Sequence, residues 1–214
     1  MNVKKIIKNL LSPRYYFLFR FYKNQYINKK DYKKWVVSGE PSHPPHLYKQ
    51  KTIQQYRKKY NIEILIETGT YLGFMVYAQK NYFKHIFSIE LSSPLYQDAV
   101  VMFKNYSHIK ILHGDSGVVL HTIVPDLKRK ALFWLDGHYS MGFTAKGEKE
   151  CPIYEELDAI FKNDIGHVIL IDDARCFNGT GDYPSLEELT RYIQSKNKSY
   201  KIETIKDVIR VILN

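Results

Sequence analysis

The stretch from Ile62 to Gly73, IEILIETGTYLG, decides the fold, because it joins a short apolar run to a turn that contains two glycines. An apolar run of about five residues that is bounded by turn residues is typical of a strand buried on both faces of a parallel sheet. We predict this strand at 62–66. The acidic Glu67 follows directly, and the glycines at 69 and 73 allow the backbone to turn sharply and to approach a ligand closely.

Further apolar runs of the same kind follow along the chain, separated by segments long enough for crossover helices. They are His85–Ile89, Ile109–Leu112, Ala131–Leu135 and His167–Ile171, with a terminal pair at 201–203 and 208–213 that has the spacing of a hairpin. Helices are predicted at 48–60, at 152–162 and at 185–195, where Ser185 and Glu188 have capping-box spacing. Strands that alternate with helices predict an α/β fold, with a mostly parallel sheet covered on both faces.

An acidic residue stands where each of the five internal strands is predicted to end. These residues are Glu67, Glu90, Asp115, Asp136 and the pair Asp172–Asp173. Ligands of open parallel sheets bind at the carboxyl ends of the strands, so these side chains are expected to line one cleft. Unpaired carboxylates near a core are costly, and a shared ligand explains the series better than separate helix caps do.

The turn after the first strand argues against a nicotinamide dinucleotide, because the third glycine of that fingerprint is missing and Glu67 would face the pyrophosphate. A ligand with a cationic amino-acid end and a ribose fits better. Glu67 would hold the ammonium and sulfonium end, Glu90 the two ribose hydroxyls, and Asp115 the adenine amino group. S-adenosylmethionine has all three parts.

The segments Glu67–Gly73, Glu90 and Gly114–Ser116 resemble the first three motifs of class I S-adenosylmethionine-dependent methyltransferases. The resemblance covers about residues 60–214 and implies a Rossmann-like, doubly wound sheet of seven strands whose last strand is antiparallel. Thr70 and Tyr71 stand where a middle glycine is common. The cofactor-binding residues that we predict are Glu67, Thr68, Gly69, Thr70, Gly73, Glu90, Leu91, Asp115 and Ser116.

Two later segments, WLDGHY at 134–139 and IDDA at 171–174, resemble the metal motifs of the macrocin O-methyltransferase group. The resemblance implies that Asp136, Asp172 and Asp173 bind a divalent cation. Oxygen ligands alone suit Mg²⁺ or Mn²⁺ better than zinc. His138 stands where that group usually has its aspartate base. We therefore predict His138 and Asp136 as catalytic residues, with the imidazole accepting the proton of the acceptor.

The chain also resembles methyltransferases linked to bacterial surface polysaccharides, and this resemblance implies O-methylation of a sugar or another polyhydroxylated acceptor. The segment 139–150, with its two glycines, is predicted to be a substrate loop. Two alternatives stay open. One is a metal-independent methyltransferase of an amine, a phosphate-type oxygen or a small metabolite. The other is a non-catalytic protein that docks on a membrane or a nucleic acid.

The basic charge of the chain belongs to residues 1–60, which hold 15 Lys and Arg against 2 Asp and Glu, whereas residues 61–214 hold 17 against 20. We therefore divide the chain into a basic, aromatic-rich helical extension and a methyltransferase domain at this point. The extension would pack on the core, cover the cleft, form a homodimer contact or contact a membrane surface. Nucleic acid is disfavoured, because no known binding module is visible. Two cysteines form no disulfide framework, which favours the cytoplasm.

Overall fold

The computed structural model describes residues 13–41, 43–137 and 151–213, and within them seven strands form one sheet. The strands are β1 Ile64–Thr68, β2 His85–Glu90, β3 Ile109–His113, β4 Leu132–Leu135, β5 Val168–Ile171, β6 Tyr200–Ile205 and β7 Val208–Leu213. Their order is β3-β2-β1-β4-β5-β7-β6, in which β1 to β5 are parallel and β7 is antiparallel to both neighbours. The predicted Rossmann-like α/β fold with an antiparallel last strand is confirmed.

Helices cover both faces of this sheet, as the near-continuous apolar strands require. They are α1 Pro13–Val37, α2 His46–Lys59, α3 Phe74–Gln79, α4 Ser93–Phe103, α5 Ser116–Ile123, α6 Ile153–Phe161 and α7 Leu186–Lys196. Alternate strand residues belong to different hydrophobic clusters. Ile66 and Phe133 pack in the cluster that includes α5 to α7, and Leu65 and Trp134 pack in the one that includes α1 to α4.

The first strand begins two residues later than predicted, because Ile62 belongs to the end of α2. Asn61 takes a left-handed conformation, with φ of 50°, and the Ile62 N–H donates to the Arg57 carbonyl at 2.9 Å. This six-to-one hydrogen bond is the usual closure of a helix C-terminus. As a result Glu67 and Thr68 lie within β1 rather than after it. The other end of α2 also differs, since it begins at His46 rather than at 48.

Two local predictions for the C-terminal part are confirmed. Ser185 accepts a hydrogen bond from the Glu188 N–H, and the Glu188 side chain accepts one from the Ser185 N–H, which completes the capping box of α7. β6 and β7 form a hairpin, and the two residues between them, Lys206 and Asp207, both have positive φ. Such a turn matches the twist of an antiparallel pair.

The N-terminal helices pack on the core through apolar side chains. Phe17 and Phe21 of α1 are buried against the rings of Phe74 and Tyr77, and Ile53 of α2 is fully buried. Within the described ranges, no helix has both the length and the hydropathy needed to cross a bilayer. The division of the chain at residue 60 stays a prediction.

The turn after β1 depends on close packing of two backbone segments. Gly69 has a φ of 82°, and a Cβ atom placed on it would lie 2.4 Å from the main-chain oxygen of Asp136. Real Cβ atoms do not approach a backbone oxygen so closely, and the oxygen belongs to the segment that follows the neighbouring strand β4. A side chain at 69 would therefore separate the ends of β1 and β4.

We expect Gly69→Ala to lower the stability much more than Gly39→Ala does. Gly39 has the same φ of 82°, but a Cβ atom there meets no atom within 4 Å. The Gly39→Ala variant therefore measures only the free-energy cost of a left-handed backbone conformation at alanine. That cost is about 1 kcal/mol, and the overlap at Gly69 should add about 2 kcal/mol or more. Chemical denaturation of both variants measures the difference. Equal losses would show that β1 and β4 tolerate separation.

Candidate active site

The acidic residues predicted from the sequence lie at one edge of the sheet, at the carboxyl ends of five adjacent parallel strands. Glu67 and Glu90 lie in the last two residues of β1 and β2, and Asp115 precedes α5 at the end of β3. Asp136 follows β4, and Asp172–Asp173 follow β5. The common edge that the sequence predicts is therefore present, and β1 at its centre lies between β2 and β4.

Glu67 is a buried carboxyl group held from the neighbouring strand. It pairs in register with Ser88, whose hydroxyl lies 2.5 Å from Glu67 Oε2 and 2.6 Å from the hydroxyl of Thr70. Burial raises the pKa of Glu67 to about 8, against the opposing effect of the Ser88 hydrogen bond. In the absence of a cationic ligand, this carboxyl group is therefore largely protonated at neutral pH.

Glu90 fixes the turn after β1. Its Oε2 accepts the Tyr71 N–H at 2.7 Å, and its Oε1 accepts the Ser92 N–H at 2.8 Å. Tyr71 has a φ of 48°, a left-handed conformation that glycine adopts more easily than other residues do. The departure from the usual motif thus has a physical explanation, because the Glu90 carboxylate holds a tyrosine in the backbone conformation that a glycine would otherwise supply.

The remaining predicted cofactor-binding residues lie around this turn. Gly73 has a φ of 70° and precedes α3, Thr68 is fully buried, and Leu91 is half-buried beside Glu90. Asp115 caps α5, since its Oδ1 accepts the Gly117 N–H at 2.8 Å. The helix-capping explanation considered for these acids therefore holds for Asp115.

Ser116 leads to a buried acid that the sequence analysis did not single out. Its hydroxyl donates to Glu156 Oε1 at 2.6 Å, and Glu156 is 1% exposed on α6. Burial raises the pKa of Glu156 to about 7, while hydrogen bonds from Ser116 and Thr68 oppose the rise. Glu156 thus connects the end of β1 to the start of α5. Its position three residues after Ile153 and four before Ile160, on the apolar face of α6, was the available signal.

Asp136 lies at the end of β4 next to β1. Its backbone N–H lies 3.3 Å from the carbonyl oxygen and 3.2 Å from the hydroxyl of Thr68. Burial raises the pKa of the Asp136 side chain to about 7, Lys49 opposes this shift, and the charges of Asp173 and Glu67 add to it. A carboxylate with such a pKa is suited to accept a proton near neutral pH.

Lys49, from α2, lies between the two acids that follow β5. Its Nζ is 2.5 Å from Asp172 Oδ2 and 3.1 Å from Asp173 Oδ1. Burial alone would lower the pKa of Lys49, but the negative charges of Asp172, Asp136 and Asp173 raise it well above its ordinary value. The ammonium ion is therefore the stable form. Sequence analysis missed Lys49 because it is one of 15 basic residues in the first 60.

Two further groups contact this acidic pair, one at the second oxygen of Asp172 and one at the same Asp173 oxygen that Lys49 contacts. Asp172 is fully buried, and its Oδ1 accepts the Asp173 N–H at 2.8 Å. Asp173 Oδ1 lies 2.9 Å from the Arg175 guanidinium, which also contacts Asp207. Burial raises the pKa of Asp172, whereas Lys49 and the Asp173 N–H favour its ionised form. We assign the contact between Lys49 and Asp172 as an ammonium–carboxylate pair, because both partners of Asp172 are hydrogen-bond donors.

The carboxylates predicted to bind metal do not fit a divalent cation as they are arranged. In the ranges that the structure describes, no group of three or more His, Cys, Asp or Glu side chains has a metal-binding arrangement. Two cationic side chains, Lys49 and Arg175, contact Asp172 or Asp173 directly. The metal role of Asp136, Asp172 and Asp173 stays a prediction from the resemblance. His138, the predicted base, and the loop at 139–150 lie outside the described residues.

Comparisons with known proteins support the fold. No protein-family model matches the sequence, and no curated protein matches it. An O-methyltransferase from Bacillus cereus in complex with SAH has a TM-score of 0.58 at 12% identity, with 90% of each chain covered. The SAH-bound methyltransferase PaMTH1 of Podospora anserina has a TM-score of 0.53 at 13% identity, covering 91% of this chain and 87% of that one. The N-methyltransferase NodS of Bradyrhizobium japonicum has a TM-score of 0.51 at 11% identity, covering 78% of this chain and 96% of that one. The chain therefore has the fold of class I methyltransferases.

Replacement of Glu67 by glutamine should stabilise the ligand-free protein at alkaline pH. The folded chain retains the Glu67 proton to about pH 8, whereas the pKa of an unperturbed glutamate is 4.5. Unfolding therefore releases this proton between the two values, and stability falls as the pH rises through that window. We expect the melting temperature of Glu67→Gln to exceed that of the wild type by several degrees at pH 9 and by little at pH 5.

Glu63→Gln is the matched control on the same segment of chain. Its carboxylate has a pKa lowered by the neighbouring Lys84 ammonium, so its contribution changes only in acid. Melting curves recorded from pH 5 to pH 9 separate the two variants. A difference between Glu67→Gln and the wild type that stays constant over this range would contradict a raised pKa of Glu67.

Proposed function

We propose that the protein transfers a methyl group from S-adenosylmethionine to an oxygen atom of a sugar or another polyhydroxylated acceptor. The observation that carries the proposal is the buried pair Glu67 and Glu90, which ends two adjacent strands at the carboxyl edge of a sheet with the methyltransferase fold. Synthesis of surface polysaccharides or specialised metabolites is the setting that the sequence resemblance favours. The fold is similar both to an O-methyltransferase and to an N-methyltransferase, so it does not decide which atom accepts the methyl group. Oxygen as the acceptor atom is therefore part of the proposal.

The donor would bind across the turn between β1 and α3. Glu67 lies beside this turn, where a carboxyl group would contact the cationic methionine end of the donor. Both oxygens of Glu90 already accept a backbone N–H, but each carboxylate oxygen has a second lone pair that can accept a ribose hydroxyl. Asp115 uses Oδ1 to cap α5, which leaves Oδ2 for the adenine amino group.

The reaction is an in-line displacement at the sulfonium methyl group. The acceptor oxygen forms a bond to the methyl carbon, the carbon–sulfur bond breaks, and its electron pair stays on sulfur. The hydroxyl proton must go to a base. Asp136 is the candidate that the structure describes, and His138, two residues later, is the one that the resemblance implies. General-base catalysis of this kind contributes about 10²- to 10⁴-fold.

We make this proposal in its metal-independent form. A metal ion would orient the acceptor and lower the pKa of its hydroxyl. Among the described residues, Lys49 contacts both Asp172 and Asp173, and Arg175 contacts Asp173. Amines, phosphate-type oxygens and small metabolites remain the alternative acceptors, and screening with mass detection of the added methyl group distinguishes them.

We expect S-adenosylhomocysteine to bind the full chain, with heat that calorimetry detects. Glu90→Gln keeps one acceptor oxygen for the turn but cannot bind two hydroxyls as a carboxylate does, so we expect its affinity to fall about 10- to 100-fold. Glu63→Gln, before β1 and away from the edge, should bind like the wild type. Absence of binding to the wild type would reject the proposed donor.

We also propose that the enzyme works at the cytoplasmic surface of an anionic membrane, which α1 contacts. The aromatic residues Tyr15, Phe19, Tyr22 and Tyr26 recur at intervals of three and four residues and are exposed, Tyr22 by 62% and Tyr26 by 60%. They lie opposite the buried Phe17 and Phe21 on the helix. We refer to these four exposed aromatics as the outer face of α1.

The positive charge of α1 favours an anionic partner for this outer face. Helix α1 has seven Lys and Arg residues and one acid, and Lys23, Lys30 and Lys33 are exposed near the outer face. Tyrosine rings at the level of the lipid headgroups, with lysines that reach the phosphates, are typical of helices that lie in a membrane interface. Anionic lipid supplies the charge that complements this helix.

We expect the protein to float with vesicles that contain phosphatidylglycerol and not with vesicles of phosphatidylcholine alone. High salt should weaken the binding, and Phe19→Ser with Tyr22→Ser should weaken it about 10-fold or more. Tyr82→Ser, which replaces a ring that is 46% exposed outside α1, should have no effect. Equal binding to both kinds of vesicle, or binding to nucleic acid in preference to either, would overturn the membrane proposal.

A further inference from the structure

We infer that Lys49 is the resident cation of this site, and that its ammonium occupies the place between Asp172 and Asp173 that the resemblance assigns to a divalent metal ion. The inference deepens the proposed function and rests on it only for the role of Lys49 in methyl transfer. The occupancy of the place by an ammonium stands on the geometry alone.

The position of the Lys49 ammonium is set by its contacts with the two acids and by the packing of α2. Lys49 Nζ contacts one oxygen of each acid, at 2.5 Å and 3.1 Å, and its side chain is only 17% exposed. On the other side, Lys49 lies four residues before the fully buried Ile53 on the same face of α2. The position of its Cα is therefore set by the packing of α2 on the sheet, and not by the ion pair alone.

A metal ion at the same place would have to displace this ammonium. Asp172 is fully buried, and its two oxygens accept hydrogen bonds from Lys49 and from the Asp173 backbone. A divalent cation added between Asp172 and Asp173 would lie beside Lys49, which contacts both acids, and beside Arg175, which contacts Asp173. The Lys49 ammonium thus compensates the charge of Asp172 and Asp173, and these acids need no cation from solution.

Within the proposed reaction, Lys49 would act as a positioning residue. An ammonium group has three N–H donors, and two of them are directed at Asp172 and Asp173 in the described part of the chain. We propose that the third donates to an oxygen of the acceptor. A lysine can orient the acceptor in this way, but it polarises a hydroxyl less than a metal ion does, so the base remains necessary.

Binding of Mn²⁺ to the full-length protein, without donor or acceptor, tests the inference. Paramagnetic resonance measures the free Mn²⁺, and thermal melting measures the stabilisation. We expect no binding to the wild type. In Lys49→Ala the ammonium is gone and the acids are free, so Mn²⁺ should bind and raise the melting temperature by about 5 °C at roughly 100 times its dissociation constant.

Three further variants control this experiment. Lys49→Arg keeps the charge and should bind no Mn²⁺, and Lys51→Ala removes an exposed lysine of the same helix and should behave like the wild type. Lys49→Ala combined with Asp172→Asn removes a ligand and should lose the gained binding. If Lys49→Ala does not fold, Lys49→Gln carries the same test, since it is neutral and of similar length.

The outcomes separate this inference from the proposed function. Binding of Mn²⁺ to the wild type would overturn the inference, because the metal would then displace Lys49. Failure of Mn²⁺ to bind either neutral variant would also overturn it, because the acids would then form no cation site. Neither result bears on the binding of S-adenosylhomocysteine, whereas loss of that binding would reject the proposed function and leave the Mn²⁺ result unaffected.

Discussion

The compensation of negative charge at one edge of the sheet is the constraint on which the rest of the structure depends. Parallel strands bring their carboxyl ends together, so acids at those ends repel one another and lose hydration. Three of these acids are stabilised in different ways. Glu67 takes up a proton beside Ser88, Glu90 accepts two backbone N–H groups, and Asp172 contacts the Lys49 ammonium. A carboxyl group held by a proton can exchange that proton for a cationic ligand, and one held by N–H donors still has lone pairs that can accept further hydrogen bonds.

The way in which the acidic charge is compensated differs between the two ends of this edge. At the β1 and β2 end, compensation comes from a proton and from neutral donors, so a cationic ligand that replaces the Glu67 proton would gain the attraction of that carboxylate. At the β5 end, the chain provides full positive charges in Lys49 and Arg175. Under the proposed function, the cationic donor would bind at the first end and an oxygen-rich acceptor at the other.

The fold and the edge could be predicted from the sequence because they depend on local patterns. Short apolar runs that alternate with helical segments specify a parallel sheet, and this topology alone places the strand ends together. The start of β1 was placed too early because Ile62 is as apolar as the strand residues, although it closes the C-terminus of α2. Sequence periodicity does not distinguish an apolar residue that caps a helix from one that begins a strand.

Lys49 and Glu156 could not be assigned roles from the sequence, because their partners are distant along the chain. Lys49 contacts an acid 123 residues away, and Glu156 accepts from a serine 40 residues before it. Both lie on the buried faces of their helices, and a charged residue in such a position indicates a partner without identifying it. For Tyr71 the sequence shows only that a residue other than glycine stands in the motif. Its backbone conformation depends on Glu90, which follows 19 residues later.

The packing of α1 has a consequence for the donor turn. A Cβ atom on Gly73, which ends this turn, would lie 2.8 Å from the Phe103 ring and 3.9 Å from the Phe17 ring. Phe17 belongs to α1, and one layer of aromatic rings therefore separates the outer surface of that helix from the backbone that would hold the methionine end of the donor. A displacement of α1 along its axis would move the Phe17 ring, so the proposed membrane contact of α1 and the proposed donor turn would be mechanically coupled.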